Sequence, residues 1–369
     1  MRNGVFALMM AAALVATPLA AQETEQERAD RGYLVGLLED NLSGAGRQVT
    51  IDGFRGALSS RATIERMTIA DATGVWLTLS GITLDWNRAA LLRGRVSVNE
   101  LVAQEIIVDR LPVAEAETLP SPEASQPFSL PELPVSVQIG KLSAPQIKLG
   151  ETILGEPVEA RLEAQASLAG GEGQVALILD RTDPGPEGRL NLSGSYANAS
   201  RQLVLDLAVA EGAEGIAARL IGLPGTPPVD LSVKGAGAID DFTATVNLSS
   251  DGQPRLAGAV SLRASQDGSQ GFAVNLAGDI APLFLPEYAT FFGSDVKLVA
   301  SGARTPAGTT ELQALDLQTQ ALNLQGSAAI AADGMPERFD VTMRMAMPDG
   351  SPVLLPTSGA DRIYLDSAD

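Results

Sequence analysis

The feature that most constrains this chain is the alternation of apolar and polar residues over long stretches. In VWLTLSGITLDWNRAALLRGRVSVNELVAQEIIVDR, residues 75–110, apolar side chains recur at every second position, as at Leu77 and Leu79 and again at Leu84 and Trp86. A period of two is the spacing of side chains along one face of a β-strand. We therefore predict half-buried antiparallel strands with one apolar face.

The same alternation continues through the later part of the chain. Phe242, Ala244, Val246 and Leu248, for example, are separated by threonines and an asparagine. Asp-Gly pairs stand at 251–252, 267–268, 333–334 and 349–350. Asp-Gly indicates a β-hairpin because both residues tolerate a positive φ. The spacing from the first Asp-Gly pair to the second, and from the third to the fourth, leaves room for one strand of about ten residues.

The first residues carry a targeting segment. A short positive start at Arg2 is followed by an apolar run from Gly4 to Ala16 and then by Ala20-Ala21. This pattern predicts a secretory signal that is cleaved after Ala21. The apolar stretch is also nearly long enough to cross a bilayer, so a retained inner-membrane anchor is the alternative. Both place the rest of the chain outside the cytoplasm.

Composition changes divide the remaining chain into segments. A capping box at Thr24 and a leucine stripe predict a packing helix before Gly44. A proline-rich stretch predicts a loop or linker, because proline removes ladder donors. A cluster of aromatic residues around Pro286 predicts a short helix that acts as a core plug or as a lid on an apolar channel. The predicted segments are 1–21 signal peptide or anchor, 22–46 helix, 47–111 first β segment, 112–134 linker, 135–280 central β segment, 281–293 aromatic plug, and 294–369 last β segment.

Charge and residue types exclude several function classes. The formal net charge is -19, which argues against a nucleic-acid partner and against a polybasic grip on anionic lipid heads. The chain has no Cys and no His, so a Ser-His-Asp triad, a Cys nucleophile and a His-ligated metal are excluded. We predict no catalytic, cofactor-binding or metal-binding residues and no enzymatic activity.

The apolar face of the predicted sheet is the candidate binding site. A bare apolar face is costly at about 25 cal/mol per Å2, so it must be curled, capped or filled. Alternation alone leaves open whether a second sheet or a hydrocarbon ligand covers it. The candidate groove residues are Leu77, Leu79, Leu84, Trp86, Val96, Val98, Leu205, Leu207, Val246, Leu248, Leu256, Val260 and Leu262.

Several stretches resemble the N-terminal region of the TamB family, the translocation and assembly module subunits of bacteria with two membranes. The likeness spans most of the chain after the leader. It is carried by GFRGALSSRATI at 53–64, IAD at 69–71, GVWLTL at 74–79, LDWNR at 84–88, ALLRGR at 90–95, LGE at 149–151, LGEP at 154–157, GLPGTPP at 222–228 and FFG at 291–293.

The resemblance implies a fold and a role. It implies a long antiparallel sheet curled into a half-pipe (β-taco) with an apolar inner face, related to AsmA-like lipid-transfer proteins. It implies a periplasmic, inner-membrane-tethered protein that helps outer-membrane proteins and autotransporters assemble and be secreted, or that carries phospholipid between the membranes. The implied partners are a TamA-like outer-membrane barrel, phospholipid or nascent outer-membrane β-strands, and the inner membrane. Family members are far longer, and the part that contacts TamA has no counterpart here, so we expect a fragment, a split reading frame or a shortened paralogue.

Besides the TamB-like role, two other functions are compatible with a strand-rich sequence. A secreted or surface β-repeat adhesin would have a closed sandwich or solenoid with a dry core. A β-helix carbohydrate enzyme would need a carboxylate cluster in a cleft, and no pair among the 45 Asp and Glu residues is singled out by sequence.

Overall fold

The computed structural model describes residues 48–56, 61–91, 95–113, 129–130, 136–265, 267–357 and 362–368, together with positions 36, 39 and 43. The predicted leader, most of the predicted helix at 22–46 and most of the linker at 112–134 lie outside the described residues.

Strands make up most of the described chain, as the alternation predicts. Their bounds are β1 Gln48–Asp52, β2 Arg61–Asp71, β3 Gly74–Trp86, β4 Arg95–Val108, β5 Ser136–Leu149, β6 Val158–Ala169, β7 Glu172–Arg181, β8 Gly188–Ala197, β9 Gln202–Glu211, β10 Val229–Ala238, β11 Asp241–Ser250, β12 Gln253–Ala264, β13 Gln270–Gly278, β14 Val296–Arg304, β15 Thr310–Gln318, β16 Leu322–Ile330, β17 Pro336–Met345, β18 Val353–Leu354 and β19 Tyr364–Leu365.

One sheet of 17 strands contains β1 to β17, and β18 and β19 form a separate two-stranded sheet. Each strand of the long sheet pairs with the strand next to it in sequence, from β1–β2 to β16–β17. Among the described residues, β1 and β17 are the two ends of this series, so the sheet is not closed into a barrel. The prediction of a mainly β chain with one long, mostly antiparallel sheet is confirmed.

The pairing of β4 with β5 is parallel, and here the expectation of antiparallel pairing throughout is wrong. A parallel pair needs a long connection that returns to the starting end of the sheet. The proline-rich stretch at 112–134 separates these strands and gives the chain that length. Leu130, one of its described residues, donates its N–H to Asn198 Oδ1 over 2.8 Å and accepts from Asn198 Nδ2 over 2.9 Å.

The Asp-Gly pairs act as expected in three of four places. Asp251 and Gly252, with φ of 52° and 69°, join β11 to β12, and the pairs at 267–268 and 333–334 join β12 to β13 and β16 to β17. The fourth pair, at 349–350, does not form a hairpin between paired strands. The chain after β17 turns away, and β18 pairs with β19 instead.

The two rims of the sheet differ. The short helices are α1 Arg88–Leu91, α2 Glu151–Leu154, α3 Ile216–Leu220 and α4 Ala289–Phe292, and two 3-10 turns span Ala281–Leu283 and Pro286–Tyr288. Because antiparallel strands reverse direction, the connections β5–β6, β9–β10 and β13–β14 lie at the same rim, and they hold every one of these elements except α1. We call this the helical rim. The connections after β6, β8, β10, β12, β14 and β16 lie at the opposite rim and are short turns.

Three clusters of fully buried apolar residues are present in the described part of the chain. One cluster surrounds Phe54 and spans β1 to β4. A second contains Tyr288, Phe291 and Phe292 of the predicted plug. A third joins Leu223, after α3, to Val229. Outside these clusters, Ile147 and Ala160 are also buried and lie opposite each other on β5 and β6.

Candidate apolar binding face

One unbroken row of cross-strand partners crosses the sheet from β2 to β17. Each member lies opposite the next, so all members share one face. The row contains only aliphatic side chains, one methionine and one glycine. In strand order it is Ala62, Leu84, Leu101, Leu142, Ala164, Leu177, Leu192, Leu207, Val233, Val246, Gly258, Leu276, Leu298, Leu317, Leu324 and Met343. We call the face that carries this row the apolar face.

Most of the candidate groove residues lie on this face. Leu84, Leu207 and Val246 belong to the row itself. A second row, one step along the strands, contains Trp86 opposite Val98 and continues through Leu205 and Val260. Val96, Leu248, Leu256 and Leu262 stand two residues from a member of one of these rows on their own strands. Leu77 and Leu79 lie on β3 beyond Gly81, where the pairing with β2 and β4 is interrupted, and Leu79 packs against the same cluster as Leu84. The side chain of Val96 lies outside the described residues.

Most side chains of the row are half-buried, with Ala62 buried at one end and Met343 exposed at the other. Leu177, Leu192 and Leu207, in the middle of the sheet, are half-buried. Among the described residues the long sheet has 17 strands, and the only other sheet has two strands. Val98 is the exception among the candidates, with only 9% of its surface exposed. Leu79 and Leu84 pack against the cluster around Phe54.

Exposure of the apolar face increases along β12 from the helical rim to the opposite rim. Along β12, Leu256 lines a cavity, Val260 is half-buried, and Leu262 is 48% exposed. On this strand the apolar face is therefore covered at the helical rim and open at the opposite rim. On β11 the order is reversed, because Phe242 and Ala244 near the opposite rim are buried.

The cavity at the helical rim has a volume of about 760 Å3. Its floor is the apolar face of β11 to β15, and its roof is formed by residues 221–224, the 3-10 turns at 280–288, and Pro356 and Thr357. Floor residues include Leu248, Leu276 and Leu298. Its size is within the range of sites that hold small molecules, and its lining is mostly apolar.

The predicted aromatic plug forms part of this roof. Phe284 stacks on Phe292 with ring centroids 4.1 Å apart, and Phe291 meets Phe292 edge-on at 5.1 Å. Tyr288 donates its hydroxyl to the carbonyl oxygen of Thr357 over 3.2 Å. The aromatic residues thus pack against one another, and Phe284 and Tyr288 also line the cavity.

A buried cluster of charged residues lies at the edge of the apolar face, where β7 and β9 end at the helical rim. Arg181 is 8% exposed in its side chain and follows Leu179 on the apolar face. Its Nη2 lies 3.0 Å from Glu156 Oε1, and its Nη1 lies 3.5 Å from Glu211 Oε1. Hydrogen bonds from Arg181 lower the pKa of Asp183 against the opposing effect of burial. The alternation of β7 gave no sign of this cluster, because it depends on contacts between distant segments.

The opposite face of the sheet also has concave regions, which the sequence interpretation missed. Two adjoining clefts of about 520 and 510 Å3 cross β5 to β9. The first is lined on the polar face by uncharged residues such as Gln165, Gln174 and Ser195. The lining of the second also includes Lys141, Glu163 and Asp206. The amides and hydroxyls in alternate positions of these strands were the available signal.

The described part of the chain offers no group of three or more His, Cys, Asp or Glu side chains placed to hold a metal ion. Each helix within the described ranges is too short or too polar to span a lipid bilayer.

The fold and the site define a class: a mainly β protein built on one long open sheet with a continuous apolar face. No protein-family model, curated protein or solved structure matches the chain.

Proposed function

We propose that this is a non-enzymatic cell-envelope biogenesis protein, similar to TamB, whose apolar face carries phospholipid acyl chains between the inner and outer membranes. The observation that carries the proposal is the unbroken aliphatic row from Ala62 to Met343 on a face that lacks a covering sheet among the described residues. The resemblance in sequence supplies the cellular setting.

The chemistry of the row suits a cargo that moves. Leucine and valine side chains contact hydrocarbon through dispersion and the hydrophobic effect, which have no preferred direction. Each methylene removed from water gains about 0.8 kcal/mol wherever it lies along the row. A row without a polar side chain therefore has no fixed stopping point for an acyl chain.

In the proposed working state the long sheet curls into a half-pipe with the apolar face inward. Curling reduces the apolar area that faces water when the groove is empty. The cavity of about 760 Å3 at the helical rim supports this arrangement, because there the sheet and its roof already enclose an apolar space. Phospholipid is favoured over a nascent β-strand as cargo, since a strand has backbone groups that need hydrogen-bond partners and this row offers none.

The test is the lipid content of the purified full chain, measured by mass spectrometry, and its binding of a fluorescent fatty acid. Val246→Asp places a charge in the middle of the row, where charge opposes hydrocarbon binding. Asn247→Asp is the matched control, because it adds the same charge to the neighbouring exposed position on the other face. We expect the Val246→Asp variant to lose lipid and probe and the control to keep both.

A chain that purifies without lipid and does not bind the probe would contradict the proposal. Equal binding by both variants would also contradict it, because the charge would then have no effect on the row. Binding of an amphipathic β-strand peptide in place of the fatty acid would shift the function to the assembly of outer-membrane proteins.

The location and partners follow from the resemblance. We propose a periplasmic chain held at the inner membrane by its N-terminal segment, acting with a TamA-like outer-membrane barrel. Fractionation of the source cells, with and without the first 21 residues of the chain, tests the location. Recovery in the culture medium would favour a secreted adhesin instead.

A further inference from the structure

The two edge strands of the long sheet, β1 and β17, differ in whether their outward backbone groups have hydrogen-bond partners. At β1, the outward N–H groups are occupied: Val49 donates to Ser43 Oγ over 2.9 Å and Ile51 donates to Glu39 Oε1 over 2.7 Å. At β17, all but the last residue of the strand are exposed. An open edge strand pairs readily with another chain, and proteins usually cover such edges.

The outward backbone groups of β17 can be identified from its last residue. Met345 donates its N–H to the carbonyl oxygen of Ala368 over 2.8 Å and accepts from the N–H of Ala368 over 2.9 Å, on the side away from β16. Because outward-facing residues alternate along a strand, Met343, Val341 and Phe339 point their backbone groups the same way. Within the described part of the chain, the Met345–Ala368 bridge is the only pairing on this edge.

The same three residues place apolar side chains in water. Phe339 is 74% exposed, Val341 is 45% exposed and Met343 is 37% exposed. They continue the apolar face, since their partners on β16 are Ala328, Gly326 and Leu324. An open backbone edge and an exposed apolar stripe thus coincide on one strand.

We propose that β17 pairs antiparallel with β17 of a second copy of this chain, about a two-fold axis at Phe339. The proposal is independent of the lipid function. The two-fold arrangement closes as a dimer, because within the described ranges β17 is the open edge of the long sheet, whereas the outward N–H groups of Val49 and Ile51 on β1 are occupied.

The charged residues of β17 favour one position of the two-fold axis over its neighbours. A two-fold axis at Phe339 places Arg338 opposite Asp340 of the second copy and Asp340 opposite its Arg338, so two opposite-charge pairs form. An axis at Asp340 would oppose two aspartates, and an axis at Val341 would oppose Arg338 and Arg344. The axis at Phe339 also brings two aromatic rings together, where ring contacts add to burial.

The test is the concentration-dependent mass of the full chain in sedimentation velocity, using charge reversal at two exposed positions. Arg338 and Asp340 lie opposite Ala329 and Ser327 of their own sheet, so reversal breaks no cross-strand charge pair with β16. We expect R338D and D340R each to weaken self-association by about tenfold or more, since both pairs become like-charged. The double variant R338D/D340R should restore it.

Mixing the two single variants is the sharper measurement. In the proposed register the mixture forms a heterodimer with complementary charges, although neither variant associates well alone. Phe339→Cys supplies a second readout, because the chain has no other Cys and only a two-fold pair places this residue beside itself. Thr243→Cys, exposed on the opposite face of β11, is its control and should stay unlinked.

A wild-type chain that stays monomeric at every concentration overturns the proposal. If R338D and D340R both dimerise as strongly as the wild type, or if their mixture does not form the heterodimer, the proposed register is wrong. Far-ultraviolet circular dichroism and thermal unfolding identical to wild type establish that each variant is folded. Protection of the β17 amides only by an added amphipathic peptide would assign the edge to a different partner.

Discussion

The guanidinium of Arg181 donates two hydrogen bonds to the carboxylate of Asp183, from Nε to Oδ1 and from Nη2 to Oδ2, each over 2.8 Å. The two residues stand where β7 ends, and their contact has a short, two-bond geometry of the kind that makes arginine–carboxylate pairs strong. The same guanidinium also contacts Glu156, before β6, and Glu211, at the end of β9. The Arg181 side chain thus connects three segments at the helical rim: the residues before β6, the end of β7 and the end of β9.

Arg181→Met should destabilise the protein strongly. Removing the guanidinium leaves the carboxylates of Asp183 and Glu211 buried without a cation, and breaking a buried ion pair costs about 3 kcal/mol. Chemical denaturation, followed by circular dichroism, measures the change. Arg189→Met is the control, because Arg189 is 55% exposed in its ion pair with Asp180 and should contribute less than about 1 kcal/mol. Equal effects would contradict a special role for the cluster.

Stability should fall in acid in a way that depends on Asp183. The pKa of Asp183 is lower in the folded protein than in the unfolded chain, because Arg181 hydrogen-bonds to its ionised form. A lowered pKa stabilises the fold above the unfolded value of about 3.9, and this contribution is lost as the pH falls through the folded pKa.

The measurement is the difference in unfolding free energy between wild type and Asp183→Asn as the pH is lowered. We expect a large difference near neutral pH that shrinks in acid. A difference that stays constant would mean that Asp183 does not stabilise the fold through its charge. Asp241→Asn serves for comparison at neutral pH, since its ion pair with Arg263 is 70% exposed on the aspartate side and contributes little.

Asp71→Asn should loosen the chain that leaves β4 while leaving the sheet intact. Arg110 donates from Nη1 and Nη2 to the two oxygens of Asp71, each over 2.7 Å, and the N–H of Val113 donates to the same carboxylate over 2.8 Å. Hydrogen bonds from Arg110 hold the pKa of Asp71 well below its usual range, so the carboxylate stays charged. We expect faster hydrogen exchange at residues 110–113 and unchanged exchange in β11. Uniform acceleration throughout the sheet would show instead that the contact supports the whole fold.

Phe292→Ala should open the roof of the cavity. Phe292 is 8% exposed and contacts both Phe284 and Phe291, and replacing a buried phenylalanine by alanine costs about 3–5 kcal/mol. Thermal unfolding measures the loss. Phe284→Ala is the comparison, because Phe284 is 39% exposed and its removal should cost less. A larger loss of stability for Phe284→Ala than for Phe292→Ala would contradict the prediction, because the loss would then not follow the burial of the side chain.

Much of the sheet was predictable because a period of two is a local property. The alternation at Val246 and Leu248 predicts a strand with one apolar face, and the Asp-Gly pair at 251–252 predicts the hairpin that follows. The observed cross-strand register places Leu84, Leu207 and Val246 in one row on a single face. The Asp-Gly pair at 349–350 carries the same local signal but joins no paired strands, because the following segment finds its partner in β19.

What covers or closes the apolar face was not predictable in the same way. The parallel pairing of β4 with β5 depends on where a long connection returns, and the Arg181 cluster depends on segments far apart in sequence. The open edge at β17 depends on what the rest of the chain leaves unpaired.

The sequence by itself determined that this protein is strand-rich and that its strands carry apolar side chains on one side, because side-chain alternation follows from backbone geometry alone. Tertiary structure decided which parts of that face are roofed, at the helical rim, and which stay open, near Leu262 and Phe339. The reason is that burial is set by contacts between segments distant in the chain, which no local pattern specifies.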